Sequence, residues 1–210
     1  MHELNKTKNR HQINGGFFVC KDILFGIIIH TRGEKMKVSV KNKNDSTWFV
    51  VALEEEFSSD KHNVLYTGMG KINAAMAVQW LIDNFDVKKI INVGSAGGNP
   101  KKVDAGRVYN VGTTVDRDWD FSDSGYATVL TNNNADPESK TCFTGDSFVT
   151  DWDNDYEIVD MESFAIAKVC SAPENNVQFS CYKYISDSGN GDDWRESLIK
   201  CNKIFNEMFD

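Results

Sequence analysis

Several hallmarks of common protein classes are missing from this chain. The five cysteines (Cys20, Cys142, Cys170, Cys181, Cys201) form no CxxC pair and no Cys/His ligand spacing, so no metal site is expected. An odd number of scattered thiols suits reduced, mostly buried side chains in a cytoplasmic protein. No apolar run approaches the roughly 20 residues that span a bilayer. The two early candidates, Phe17-Phe18-Val19-Cys20 and residues 23–29, are split by Lys21-Asp22. That interruption, with no small-x-small site after it, also makes a poor secretion signal. Surplus positive charge is lacking too: the net charge is −8, which argues against a broad nucleic-acid or anionic-membrane surface. A small polar ligand, uncharged or cationic, is the easier partner. Internal repeats and low-complexity tracts are likewise missing.

What is present fits one domain with a sizeable core, since 210 residues bury enough surface for it. Charge divides the chain unevenly. Residues 1–46 carry nine Lys and Arg against four Asp and Glu, whereas residues 47–210 carry fourteen against twenty-seven. The first segment, broken by glycines and isolated charges, is expected to be a poorly ordered extension. Residues 47–210 are expected to form the working domain.

From residue 48 the pattern sharpens. Trp48-Phe49-Val50-Val51-Ala52-Leu53 is a continuous apolar run of the kind found in parallel strands covered on both faces. Val64-Leu65-Tyr66 predicts a second strand, and residues 71–85 a helix with Ile72, Ala75, Met76, Gln79-Trp80 and Ile82 in register. Further strands are predicted at 90–93, 107–111, 141–143, 157–159 and 177–185. Short Ala-rich helix character follows at 163–170, and 116–140 reads as polar loop. The last helix is the clearest, with Trp194, Leu198, Cys201, Phe205 and Met208 on one stripe behind Asp192-Asp193. Alternating strands and helices predict an α/β fold: a single-domain three-layer sandwich around a mainly parallel or mixed sheet.

In such sheets ligands bind beyond the carboxyl ends of strands. Glu54-Glu55-Glu56, Gly94-Ser95-Ala96-Gly97-Gly98 and Ser186-Asp187 all fall there. The glycine-rich run reads as a turn whose amides could hold an anion or let a ligand come close. Glu162, between a strand and a helix, is expected to stay ionised over the helix N-terminus and to accept from a diol such as a ribose. Gly68-Met69-Gly70 lacks the third glycine of a dinucleotide fingerprint and the acid about 20 residues on, so a dinucleotide cofactor is not expected.

Taken in order, Ala52-Leu53-Glu54-Glu55-Glu56, Thr67-Gly68-Met69-Gly70-Lys71-Ile72-Asn73-Ala74-Ala75, Asn92-Val93-Gly94-Ser95-Ala96-Gly97-Gly98, Thr144-Gly145-Asp146-Ser147-Phe148, Asp160-Met161-Glu162-Ser163 and Ile185-Ser186-Asp187 resemble the successive motifs of the nucleoside phosphorylase superfamily. Within it the chain is most similar to methylthioadenosine/S-adenosylhomocysteine nucleosidases, over residues 47–210. The resemblance implies hydrolysis of the N-glycosidic bond of an adenine nucleoside, without metal or organic cofactor. It implies Asp187 as the acid that protonates the base, Glu162 on the ribose hydroxyls and Glu56 holding the attacking water. Ser95, Ala96 and Gly97 would line the sugar and water site. Phe148 and Val149 would pack on the base and read its edge, with Leu53, Met161 and Ser186 completing the pocket. A homodimer is also implied.

Two alternatives stay open. A phosphorylase would need a cation for inorganic phosphate, yet Asn92 stands where hexameric phosphorylases of the superfamily carry Arg, and the Glu run would repel the anion. A catalytically silent nucleoside-binding module is the other, because the chain departs from the pattern by deletion. Only residues 57–63 separate Glu56 from Val64, where two more strands are usual, and 116–140 is short. Lys183 stands where Arg is common.

Overall fold

The computed structural model describes residues 27–30, 35–119, 129–152, 155–189 and 191–210. The apolar run at Trp48 becomes strand β3 (Thr47–Val51), preceded by β1 (Ile27–His30) and β2 (Lys35–Ser39) and followed by β4 (Val64–Tyr66). Helix α1 (Lys71–Asn84) leads into β5 (Lys89–Gly98), then β6 (Val108–Asp116), β7 (Val129–Thr131), β8 (Lys140–Thr144) and β9 (Ile158–Asp160). Helix α2 (Ser163–Cys170), β10 (Gln178–Asp187) and α3 (Gly191–Phe209) complete the chain.

All the strands share one mixed sheet, in the order β1-β2-β4-β3-β5-β10-β6-β8-β9, with β7 on the edge of β6. Parallel pairs β3–β4, β3–β5 and β5–β10 form its centre. β9 then returns to the far end of β5, where Gly97 pairs with Val159 and Gly98 with Ile158. Strands β5, β10, β6, β8 and β9 thereby close a ring. Closure demands a bare backbone: a Cβ on Gly98 would lie 2.6 Å from both Ile185 Cγ2 and Val103 Cγ2.

Period-two burial splits the core across this sheet. Trp48, Val50 and Ile90 join the cluster under α1 and α2, whereas Phe49, Val51 and Ile91 join the one under α3 with Cys201 and Phe205. Both faces are covered, which is why the strands read as unbroken apolar runs. Three layers result: α1 and α2, the sheet, and α3.

Four local expectations change. The run 94–98 is strand, not turn; β5 continues through it to the seam with β9. Helix α1 buries Ala74, Ala77, Val78 and Leu81, while Ile72 and Met76 of the expected stripe are 73% and 63% exposed. Small side chains let α1 lie close to α2, so the buried face is rotated from the one marked by the largest residues. Met208 of the α3 stripe is exposed as well, although Leu198, Cys201 and Phe205 are buried. The polar stretch 116–140 holds β7, paired to β6 from Thr113↔Thr131 to Val115↔Val129; residues 120–128 lie outside the described part.

Residues 27–30 and 35–39, within the segment set apart at 46, are strands of the sheet. β2 pairs antiparallel with β4 and Val38 is fully buried in the α1/α2-side core. Alternation of Met36 and Val38 with Lys35 and Lys37 is the strand signal, diluted there by charge. The rest of the expected extension, residues 1–26 and 31–34, lies outside the described residues. Because Val38 contributes a full side chain to the core, Val38→Ala should cost about 1–3 kcal/mol, read as a lower urea midpoint at unchanged slope. An unchanged midpoint would refute this packing.

Candidate active site

Strand ends bring the predicted residues together. Glu56 follows β3, Ser95, Ala96 and Gly97 lie in the last part of β5, and Ser186-Asp187 end β10 beside the β5–β9 seam. Met161 and Glu162 join β9 to α2, and Phe148 and Val149 come from the β8–β9 connection. All of them, with Leu53, line one cleft of about 640 Å³ that opens to solvent. The same walls include Ala52, Met69, Ser147, Val159, Asp160 and Trp194, which sequence reasoning did not place there.

Glu56 is held tightly. Its Oε1 accepts from the Ser95 backbone N–H at 2.9 Å and from the Ser95 hydroxyl at 2.5 Å, and its Oε2 accepts from Leu53 N–H at 3.0 Å. Gly94 lies directly against this carboxylate, where a Cβ would be in ordinary contact with Oε1 at 3.4 Å. The Ser95 amide is therefore spent on a protein carboxylate, and the run 94–98 offers no anion nest of the expected kind. Ser95 Oγ in turn accepts from the Trp194 indole N–H at 2.9 Å.

Asp187 is buried in the wall of the cleft. Gly189 N–H donates to Oδ1 at 2.8 Å, and Ser186 Oγ lies 2.7 Å from Oδ2. The same hydroxyl is 3.2 Å from the Ala96 carbonyl, so its one proton serves one acceptor at a time.

Glu162 sits over a buried charge pair. Lys183 Nζ and Asp160 Oδ2 are 2.9 Å apart, with side chains 2% and 1% exposed. Asp160 also accepts from the Thr144 hydroxyl, the Ser163 hydroxyl and the Ser163 N–H at 2.6, 3.0 and 2.9 Å. Burial opposes the charge on both partners, yet each outweighs it for the other: Asp160 stays below the usual carboxylate range and Lys183 well above the usual amine range. Glu162 accepts the Gly70 N–H at 2.8 Å. Burial first, and the neighbouring Asp160 charge second, push it up to about 8. The helix N-terminus was expected to keep Glu162 ionised; it makes no side-chain cap there, and desolvation prevails.

The strip carrying Phe148 is fixed residue by residue. Gly145 N–H donates to Asp160 O, Asp146 N–H to Asp118 Oδ2, and Arg117 Nη2 to Ser147 O, at 3.0, 2.9 and 2.6 Å. Lys71 binds Asp118 and Asp116 at 2.8 and 3.1 Å, tying α1 to the same strip. The Phe148 ring itself is 66% exposed. No Lys, Arg or His is among the residues lining the cleft, and the described residues contain no cluster of His, Cys, Asp and Glu able to hold a metal.

Residues 36–143 match the family model of the phosphorylase superfamily. The chain belongs to this superfamily. Among its relatives, a 5′-methylthioadenosine/S-adenosylhomocysteine nucleosidase from Listeria innocua is 30% identical over 162 residues, spanning 60% of this chain and 69% of the relative. One of the same description from Actinobacillus succinogenes is 28% identical over 173 residues, spanning 68% and 74%. In fold, the Helicobacter pylori nucleosidase of that description, solved with butyl-thio-DADMe-Immucillin-A, superimposes at a TM-score of 0.65 and 19% identity, over 77% of this chain and 96% of that one. The superfamily match begins at Met36, inside β2, in keeping with the place of that strand in the sheet.

Trp194 was legible only as a helix-stripe residue, and Asp160, read as part of a motif, and Lys183, read as standing where Arg is common, were not read as partners. A lysine within Phe179 to Ile185, and an acid directly after Ile158-Val159, were the available signal that two strands share a buried pair. The raised Glu162 has a consequence for stability. Its ordinary value is 4.5 and its folded value about 8, so between these pH values the unfolded chain releases a proton that the folded one keeps. Stability from this group is thus fully present below 4.5 and declines as pH rises towards 8. Relative to Glu162→Gln, the wild type should lose stability across that window in urea titrations; parallel curves would refute the assignment.

Proposed function

We propose that this chain hydrolyses the N-glycosidic bond of an adenine nucleoside carrying a small or thioether 5′ group: methylthioadenosine, S-adenosylhomocysteine or 5′-deoxyadenosine. The observation that carries this reading is the convergence of Asp187, Glu162 and Glu56 on one cleft with no cationic side chain among the described residues that line it. Glycosidic cleavage builds positive charge on the sugar and negative charge on the leaving base. A carboxylate beside the sugar suits the first and a protonated acid at the base the second, while Glu162, pushed up to about 8, meets the ribose as a hydrogen-bonding group.

In the proposed reaction Asp187 gives its proton to N7 of adenine as the C1′–N9 bond breaks, and the bonding electrons leave with the base. Glu162 binds the 2′- and 3′-hydroxyls. A water oxygen then bonds to C1′ and its proton passes to Glu56. The exposed Phe148 ring would pack on the base, with Val149 beside it. Asp187 is tied to β10 through Ser186 and Gly189, so a proton there is presented from a fixed direction.

Hydrolysis rather than phosphorolysis is supported by the same lining. A phosphate beside the sugar would face carboxylates and no Arg or Lys. Asn92 does not substitute for such a cation: its amide donates to Val50 O inside the sheet. The residues assigned to chemistry all fall within 47–210, and β2 is proposed to cover the sheet edge without touching the substrate. A cytoplasmic setting is in keeping with the free, buried Cys142, Cys170, Cys181 and Cys201, and among the described residues no helix is long and apolar enough to cross a membrane.

We also infer a homodimer, supported by exposed Met69, Ile72 and Met76 on and beside α1. Sedimentation should show a species of twice the chain mass at micromolar concentration; a monomer throughout would refute it. For the activity, adenine release from methylthioadenosine and S-adenosylhomocysteine should proceed in phosphate-free buffer. Asp187→Asn should reduce it by about 10²–10⁴, the usual worth of general acid help. Release only with phosphate would identify a phosphorylase, and binding without release in either buffer a silent module.

A further inference from the structure

Trp194, in the first turn of α3, reaches the Glu56 network through its indole ring. Its indole N–H can only donate, and it donates to Ser95 Oγ at 2.9 Å. Ser95 Oγ then lies 2.5 Å from Glu56 Oε1. A serine hydroxyl has one proton and two lone pairs. With the indole using a lone pair, the rotor is restrained and its proton is kept on Glu56 rather than turned to water in the cleft.

The lone pairs of Glu56 can then be counted. Oε1 takes two donors, the Ser95 hydroxyl and the Ser95 amide, so both its acceptor positions are filled. Oε2 takes one, the Leu53 amide at 3.0 Å, and keeps one position open. Resting on the hydrolase reading above, the geometry points to Glu56 Oε2 as the atom that holds the attacking water and takes its proton, and to Trp194 as a positioning residue that keeps it so through Ser95. Water bound at Oε2 gives its proton there as its oxygen bonds to C1′; Trp194 and Ser95 exchange nothing.

Packing explains why an α3 residue can hold this post. Cys201 and Phe205 are fully buried under the sheet, so the helix is anchored two and three turns away from Trp194. Trp194 also lines the cleft, beside Glu56 and Ser95. Its place next to the reacting groups therefore follows from the docking of α3, and its hydrogen bond reports on that docking.

Trp194→Phe keeps an aromatic wall and deletes only the donor. It should lower kcat for adenine release about 3- to 10-fold, the worth of one net hydrogen bond, with KM changed less than twofold. In a Ser95→Ala background the same change should cost nothing further. In a ¹⁵N spectrum, the indole resonance lost in Trp194→Phe should move in Ser95→Ala. Equal losses in both backgrounds, a change confined to KM, or an indole resonance unmoved by Ser95→Ala would each overturn the role. A wild type that releases no adenine overturns the hydrolase reading and the water assignment with it, while the resonance still decides the Trp194–Ser95 contact.

Discussion

The buried pair of Lys183 and Asp160 organises this molecule. Lys183 comes from the middle of the sheet and Asp160 from the strand that closes the ring, and both are almost wholly shielded from water. Two charges in that position are costly unless each is fully satisfied. Satisfaction here recruits β8 through Thr144 and the start of α2 through Ser163, so four elements meet around one carboxylate. Glu162 stands two residues from Asp160, and its raised affinity for a proton comes first from burial and then from that neighbouring charge.

The cleft is otherwise built by subtraction. Glycines at the end of β5 leave room for Glu56 on one side and for β9 and Ile185 on the other. The result is a concave surface with acids at three points and apolar walls between them. That distribution disfavours anions and favours a neutral ligand that acquires positive charge as it reacts, which is what a departing sugar does.

Sequence made much of this readable. Glu54-Glu55-Glu56, the 94–98 run and Ser186-Asp187 could be placed at a common strand edge from pattern alone, whereas choosing Glu56 from its run and adding Glu162 rested on the family resemblance. Other features were hidden for physical reasons. In β2, two lysines alternate with Met36 and Val38, so a half-charged strand resembles a solvated tail. In α1, tight approach to α2 favours alanine, and the largest side chains, Ile72 and Met76, are left outside. Trp194 fits an apolar stripe so well that its polar edge, the part that meets Ser95, went unnoticed. Strand number holds a further lesson. Although only seven residues separate Glu56 from Val64, β1 and β2, which precede β3 in the chain, extend the sheet beyond β4.

The strip from Gly145 to Ser147 is tied down at every residue, whereas the ring of Phe148 that follows is largely exposed. On the proposed reading, a base arriving at that ring would have no loop to fold and only two torsions of one side chain to arrest, at about 0.5–1.5 kcal/mol. Selectivity on that face then falls to shape and surface cover rather than to rearrangement, so recognition there is fast to make and fast to undo. An enzyme that must discharge a flat product after each turnover is well served by such a landing place.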